Sequence, residues 1–420
     1  MTTTLRILQR DQLSTLARKP VEQEALSAAA AILADVQSHG ASAARHHAER
    51  LGDIKPNEPL LIQRADLQRA ADELPSHERE VLERTNARVR AFASAQRACL
   101  LSLDTPIQGG RAGHRILPVA SAGCYVPGGR FPLPSTAIMT VATARAAGVN
   151  TVIAASPRPS KHTLAAAAIA GADALLAIGG AQAIASLAYG LNIENTQIQP
   201  CDVICGPGNR YVTAAKQLVS GSARIDMLAG PSELVLVADA SATPATIAAD
   251  LLAQAEHDPD ASAILIALDQ SIIAPVQLEL ESQLATLPTA ETARKALANG
   301  FAILAADLAD AARVCDLLAP EHLQLMSGQP EKLAPLLTNY GALFIGSRSA
   351  EVLGDYGAGP NHTLPTGGSA RAFSGLSVLT FLNVRTWLKL DEPKAIAQDA
   401  AALARMEGLE AHARSAEKRL

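Results

Sequence analysis

The feature that most limits what this chain can fold into is a rhythm. Short apolar runs at 151–156, 174–178 and 202–205 alternate with segments of helical spacing at about 135–147, 162–170, 181–187 and 210–216. The alternation resumes with apolar runs at 234–239, 263–268, 302–305 and 342–346. Parallel strands must be joined by a crossover, usually a helix, so this order reads as parallel sheets with ligand loops at strand carboxyl ends. The expected fold is α/β: two Rossmann-like domains with parallel-type sheets, a helical N-terminal region over about 21–103, and a small helical tail from about Ser377.

The region carries no Gly-x-Gly-x-x-Gly, so any nucleotide must be held without the standard fingerprint. Three glycine-bearing loops each offer one polar side chain instead: Tyr125 before Gly128-Gly129, Gln182 after Gly179-Gly180, and Asn209 after Gly206. Each is ordinary loop composition when taken singly. On one edge of one sheet they would form a crevice for a cofactor.

Composition excludes several classes. A formal charge of −5 without a basic stripe gives no nucleic-acid footprint, and 3% aromatics leave no stacking platform. No run approaches the ~20 apolar residues of a membrane span, and the first residues lack the apolar core of a signal peptide. Five cysteines, with Cys201 and Cys205 the only close pair, fit a reducing cytoplasm and a buried strand better than a disulfide framework or zinc knuckle. His39, His46, His47 and His77 read as a solvated helical face.

Reactive side chains concentrate in four places. Thr243 can cap a helix with Pro244 in its first turn, and Ile247, Leu251 and Ala255 then face the core at helical spacing. Gln254 and His257, three residues apart, are neighbours where that helix should stop, before Asp258-Pro259. Pro320-Glu321-His322 sets a carboxyl beside an imidazole. A loop rich in glycine and proline carries Asp355 and His362, and Glu407 and His412 lie near the C-terminus. Singly, each reads as a loop acid or surface histidine, and Glu256, Asp260 and Glu410 are left as surface acids.

These stretches resemble the histidinol dehydrogenase family. The matching motifs are Gly-Cys-Tyr-Val-Pro-Gly-Gly, Gly-Gly-Ala-Gln-Ala-Ile-Ala, Gly-Pro-Gly-Asn-Arg-Tyr-Val, Ala-Gly-Pro-Ser-Glu, Gln-Ala-Glu-His, Pro-Glu-His-Leu, Gly-Asp-Tyr-Gly-Ala-Gly-Pro-Asn-His and a final Glu-x-x-x-x-His. They follow the family's order and span nearly the whole chain.

The resemblance implies one zinc ion per subunit held by Gln254, His257, Asp355 and His412. It implies NAD contacts from Tyr125, Gln182 and Asn209, and acid/base work by Glu321 and His322. Substrate contacts would come from Ser232, Gln254, His257, His322, Asp355, His362, Glu407 and His412. The implied activity is oxidation of L-histidinol to L-histidine in two NAD-linked steps. The implied assembly is a cytoplasmic homodimer whose tail crosses to complete the neighbour's site, with no nucleic-acid or membrane partner.

The expected division is a discontinuous domain of residues 1–124 and 232–376 carrying most of the zinc and substrate site. Residues 125–231 would form an inserted NAD-binding domain, and 377–420 the helical tail. A zinc hydrolase using Glu321 to activate water, or a metal-binding scaffold, are the readings from other classes. The hydrolase needs no nucleotide crevice, and the scaffold leaves the Glu321-His322 pair without a task.

Overall fold

The computed structural model describes residues 5–15, 21–128, 132–193 and 196–420. Two six-stranded sheets organise it. The first runs Arg6–Ile7, Phe301–Leu304, Ser262–Ala267, Glu233–Ala238, His322–Met326 and Ala342–Ile345, with all neighbours parallel. The second runs Arg224–Ile225, Val203–Cys205, Ser121–Tyr125, Thr151–Ala155, Ala174–Leu176 and Leu61–Gln63, with only the last pair antiparallel. The expected pair of parallel α/β sheets is therefore present.

Helices cover both faces of each sheet, so the strands are apolar throughout instead of alternating. Every residue of Glu233–Ala238 is buried, and each of its large apolar side chains contributes about 1.5–3 kcal/mol on leaving water. The helix Pro134–Ala147 is buried on most of its circumference, which its alanines and threonines permit by letting neighbours approach closely. It starts on proline and ends at Gly148 in the left-handed region (φ 96°). The Lys161–Ala170 helix begins where Ser160 accepts the Thr163 N–H.

The N-terminal region packs differently from the expected 1–124 plus 232–376 grouping. Among its described residues, only the stretch around Leu5, Arg6–Ile7 and Leu13 joins the first sheet or its core. Leu61–Gln63 and Ser121–Tyr125 are strands of the second sheet, and the helices Gln23–Arg50, Arg64–Asp72 and Ser76–Ala98 cover that sheet's own helices. No local pattern reports which sheet a surface helix will choose. His47 also departs from a solvated face: it turns inward and contacts Asp35 Oδ2 at 2.7 Å.

The tail is not wholly helical. Leu382–Leu390 forms a strand antiparallel to Gly110–Pro118, which also pairs with Leu103–Ile107. The helices Lys394–Met406 and Glu410–Glu417 follow, separated at Gly408 (φ 76°). They pack on each other through Ala401, Ala404 and Ala413, leaving Leu403, Met406 and Leu409 exposed. Among the described residues no helix is long and apolar enough to cross a membrane.

Candidate active site

Strand order reverses in the first sheet between Glu233–Ala238 and His322–Met326, where Leu234 pairs with His322. Ser232 and Glu321 immediately precede these neighbouring strands, so they meet at the sheet's amino edge. Ser232 Oγ donates to Glu321 Oε2 at 2.6 Å, and the Glu233 N–H donates to the same oxygen at 2.9 Å. His322 Nδ1 lies 3.2 Å from the Glu233 carbonyl, 3.6 Å from Glu321 Oε2 and 3.8 Å from Glu351 Oε1. Its Nε2 faces Asp355 Oδ1 at 3.6 Å.

Burial strongly perturbs this cluster. Desolvation pushes Glu321 up to about 7 against the pull of His322 and Ser232. Desolvation would push His322 down, but Glu321, Glu351 and Asp355 outweigh it and hold the imidazole at about 10. Glu351 is likewise raised by desolvation, to about 8. Asp355 is lowered, because its contacts with His322, His362 and His257 outweigh burial.

The second contribution comes from the helix Pro244–Ala255. Ile247, Leu251 and Ala255 are fully buried as their spacing predicts, while Thr243 sits at the cap position without a side-chain hydrogen bond. The helix stops at Ala255, and the His257 N–H still reaches the Gln254 carbonyl at 3.4 Å. Gln254 is not a surface residue: it is fully buried, and neither atom of its amide has a hydrogen-bond partner. His257 opens into a cavity of about 300 Å³, which Ser232, Glu321, His322, Asp355 and His362 also line.

Asp355 closes a five-residue helix, Glu351–Asp355, within what reads in sequence as loop. His362 is fixed by its Nδ1 contact with the Asp355 carbonyl (2.9 Å) and its Nε2 contact with Thr136 Oγ1 (3.2 Å). His322, Glu351 and Asp355 present ligand atoms within 4.8 Å of one another, a geometry that can also take a cation.

The second sheet meets this cavity with its carboxyl edge. Its strand order reverses between Ser121–Tyr125 and Val203–Cys205, the kind of crevice in which open α/β sheets bind ligands. Tyr125, Gln182 and Asn209 line one cavity of about 530 Å³ there, and Pro127 lines both this cavity and the one holding His322. Desolvation pushes the Tyr125 phenol to about 12, so it stays a neutral hydroxyl. Asn209 caps the helix Arg210–Val219 through the N–H groups of Tyr211 and Val212. Gly206 (φ 112°) turns the chain, and a Cβ there would lie 2.0 Å from the Tyr125 carbonyl. Lys216 and Asp226, a buried ion pair, grip Gly206 at its carbonyl and N–H. Gly129 lies outside the described residues.

Glu407 and His412 are not brought to the cavity by this chain. Both are exposed on the tail hairpin. Cys205 is buried in its strand as expected, with its thiol against Cys124 across the sheet at 3.8 Å.

Sequence reading missed four residues. Glu351 stands four before Asp355, a spacing that places two carboxylates on one helical face once the helix is recognised. Asp250 stands four before Gln254, and its Oδ2 accepts from Gln324 Nε2 at 2.7 Å. Gln324 lies two after His322 on the same strand face, and its Oε1 accepts the Glu351 N–H at 3.2 Å. Asp53, from the turn after the first long helix, reaches the Gly179–Gln182 loop, and no local signal points to it.

A family model described as histidinol dehydrogenase matches residues 16–420. The histidinol dehydrogenase of Thermus thermophilus is 47% identical over 355 residues, 83% of this chain and 84% of that protein. That of Bordetella parapertussis is 42% identical over 402 residues, 94% of this chain and 90% of that protein. The crystal structure of histidinol dehydrogenase from Elizabethkingia anophelis matches with a TM-score of 0.91 at 28% identity, covering 99% of this chain and 98% of that one.

Proposed function

The chain belongs to the histidinol dehydrogenase family, and from that premise we propose a zinc- and NAD-dependent enzyme that oxidises L-histidinol to L-histidine through L-histidinaldehyde. Family membership makes it an oxidoreductase of histidine biosynthesis. The zinc reading rests on one observation above others. A fully buried amide with neither atom hydrogen-bonded is costly, and Gln254 is such a group, one turn from His257, which lines the cavity together with Asp355. Oxygen from Gln254 and Asp355 with nitrogen from His257 is a donor set zinc accepts. His412 would supply the fourth ligand, and Glu407 a substrate contact, from the tail of a second copy. The tail hairpin suits this reading because it packs mainly on itself and exposes an apolar face.

When bound, zinc would act chiefly as a template for the imidazole and amine of the substrate, and NAD would accept a hydride in each oxidation. His322 is the base for the alcohol proton. Three surrounding carboxylates keep its own proton on, and neutralising Asp355 by a cation would remove part of that hold. Glu321, poised near neutrality by burial and pinned by Ser232, takes a proton from water as the aldehyde is hydrated. Tyr125, Gln182 and Asn209 would hold the dinucleotide next door, with Ser232, His257 and His362 orienting the substrate. Holding the aldehyde in the cavity between the two sheets would keep this reactive intermediate from escaping.

The test is NADH formation from L-histidinol before and after metal removal by a chelator. Two NADH per histidinol, lost on chelation and restored by zinc, is the expected result. No NADH from metal-replete protein would overturn the reading.

A further inference from the structure

We propose that Asp53 is a positioning residue of the cofactor crevice: it orients the Gln182 amide so that its carbonyl oxygen accepts a hydrogen bond from an N–H donor on the dinucleotide. The inference rests on the NAD reading above and concerns a residue far away in the chain, in the turn after the helix Gln23–Arg50.

Asp53 is buried, and its Oδ2 accepts both the Gly179 N–H at 2.9 Å and Gln182 Nε2 at 2.8 Å. A carboxylate can only accept, so the atom of the Gln182 amide facing it must be the NH2. The amide's orientation is thereby settled, and its carbonyl faces away from Asp53. Gln182 is itself buried, with 1% of its surface exposed, and this carbonyl oxygen has no hydrogen-bond partner. It points at the space beside Gly180, where a Cβ would stand 2.8 Å from it. Gly180 and Gln182 both line the crevice, so the orphaned acceptor borders the space a ligand would fill.

The same carboxylate settles what this glycine turn does not do. In a standard dinucleotide site, amides at a helix N-terminus receive the pyrophosphate. Here the helix Gly180–Tyr189 has Asp53 at its N-terminus, where an anion is favoured. The Gly179 N–H is taken by Asp53 and the Gly180 N–H by Tyr125 Oη at 3.3 Å. With its amides engaged and an acid in place, the turn offers an acceptor, not a phosphate cradle. Besides its ribose hydroxyls, NAD carries two N–H groups that fit an acceptor, the nicotinamide carboxamide NH2 and the adenine amino group.

Calorimetric titration of the zinc-loaded full chain separates these sources. The ligands are NAD, 3-acetylpyridine adenine dinucleotide, which lacks the carboxamide NH2, and nicotinamide hypoxanthine dinucleotide, which lacks the adenine amino group. Wild type should bind one analogue about tenfold or more weakly than NAD, and the analogue disfavoured identifies the donor. Asp53→Ala removes the one oxygen that accepts both the Gly179 N–H and Gln182 Nε2, so the Gln182 amide is free to turn over and present its NH2 to the crevice. Discrimination between NAD and that analogue should then vanish or reverse. Gln182→Leu should abolish it as well, and Asp53→Ala added to Gln182→Leu should change nothing further.

Equal binding of all three dinucleotides by wild type would overturn the proposal. So would intact discrimination in Asp53→Ala, or a full Asp53→Ala effect in the Gln182→Leu background. Absence of NAD binding to wild type overturns the cofactor reading itself and is recognised by the wild-type titration alone.

Discussion

Ser232 Oγ lies 2.6 Å from Glu321 Oε2, the same carboxylate oxygen that the Glu233 N–H reaches at 2.9 Å. Ser232 and the first residue of the strand it leads into, Glu233, thus hold one carboxyl group in a single orientation. A hydrogen bond to a charged group contributes about 1.5–3 kcal/mol, so Ser232→Ala should slow aldehyde oxidation about 10–100-fold. Glu321→Gln should spare formation of the first NADH and block the second. Single-turnover kinetics started from histidinol and from histidinaldehyde measure the two steps, and equal loss in both contradicts this division of labour.

His322 makes the metal-free protein's stability fall as pH rises. Its folded value of about 10 stands above the ordinary 6.5, so its contribution is complete below about 6.5 and is lost as pH approaches 10. Glu321 and Glu351 are raised from 4.5 to about 7 and about 8, so their folded forms also hold protons more tightly and their slopes carry the same sign. Thermal unfolding of metal-free protein should give a Tm that declines from pH 6 to pH 9, with a shallower decline in His322→Gln. A Tm that rises over that window contradicts the placement of these groups.

His412 is exposed in this chain, whereas His322 is buried. Chains carrying His412→Ala should be inactive, as should chains carrying His322→Asn, the latter with normal zinc content. Mixed dimers should regain activity, because one of the two sites then receives both native residues. Absence of recovery in verified heterodimers would place His412 in its own subunit's site.

Lys216 and Asp226 form an ion pair with side chains 3% and 0% exposed. Removing one partner from such a pair leaves a buried charge and costs about 3–5 kcal/mol. Lys216→Met should lower urea stability by about that amount and raise the KM for NAD, since Gly206 loses a brace beside Asn209. A neutral effect on both would show that the loop holds its shape without the pair.

The α/β class, the two parallel sheets and most helices were legible in the chain because they depend on local periodicity and short-range turn chemistry. Ile247, Leu251 and Ala255 could be assigned to the core from spacing alone. Ser232, His257, Glu321, His322, Asp355 and His362 could be picked out through family motifs, and folding gathers them around one cavity. What sequence could not decide was long-range partnership. Residues 61–63 have no local mark of pairing with 174–176 and not with the other sheet. The strand Leu382–Leu390 lies hidden in an otherwise helical tail because its partner, Gly110–Pro118, is far away in the chain.

Residue types and motifs alone determined which chemistry this protein could carry. Tertiary structure decided where each group's neighbours lie, and hence its electrostatics. Asp53 is an unremarkable acid in a turn until folding sets it against Gln182, and Glu351 is one until His322 stands beside it. The reason is physical: periodicity acts over a few residues, whereas desolvation and charge pairing depend on distance in space, which only the packed chain sets.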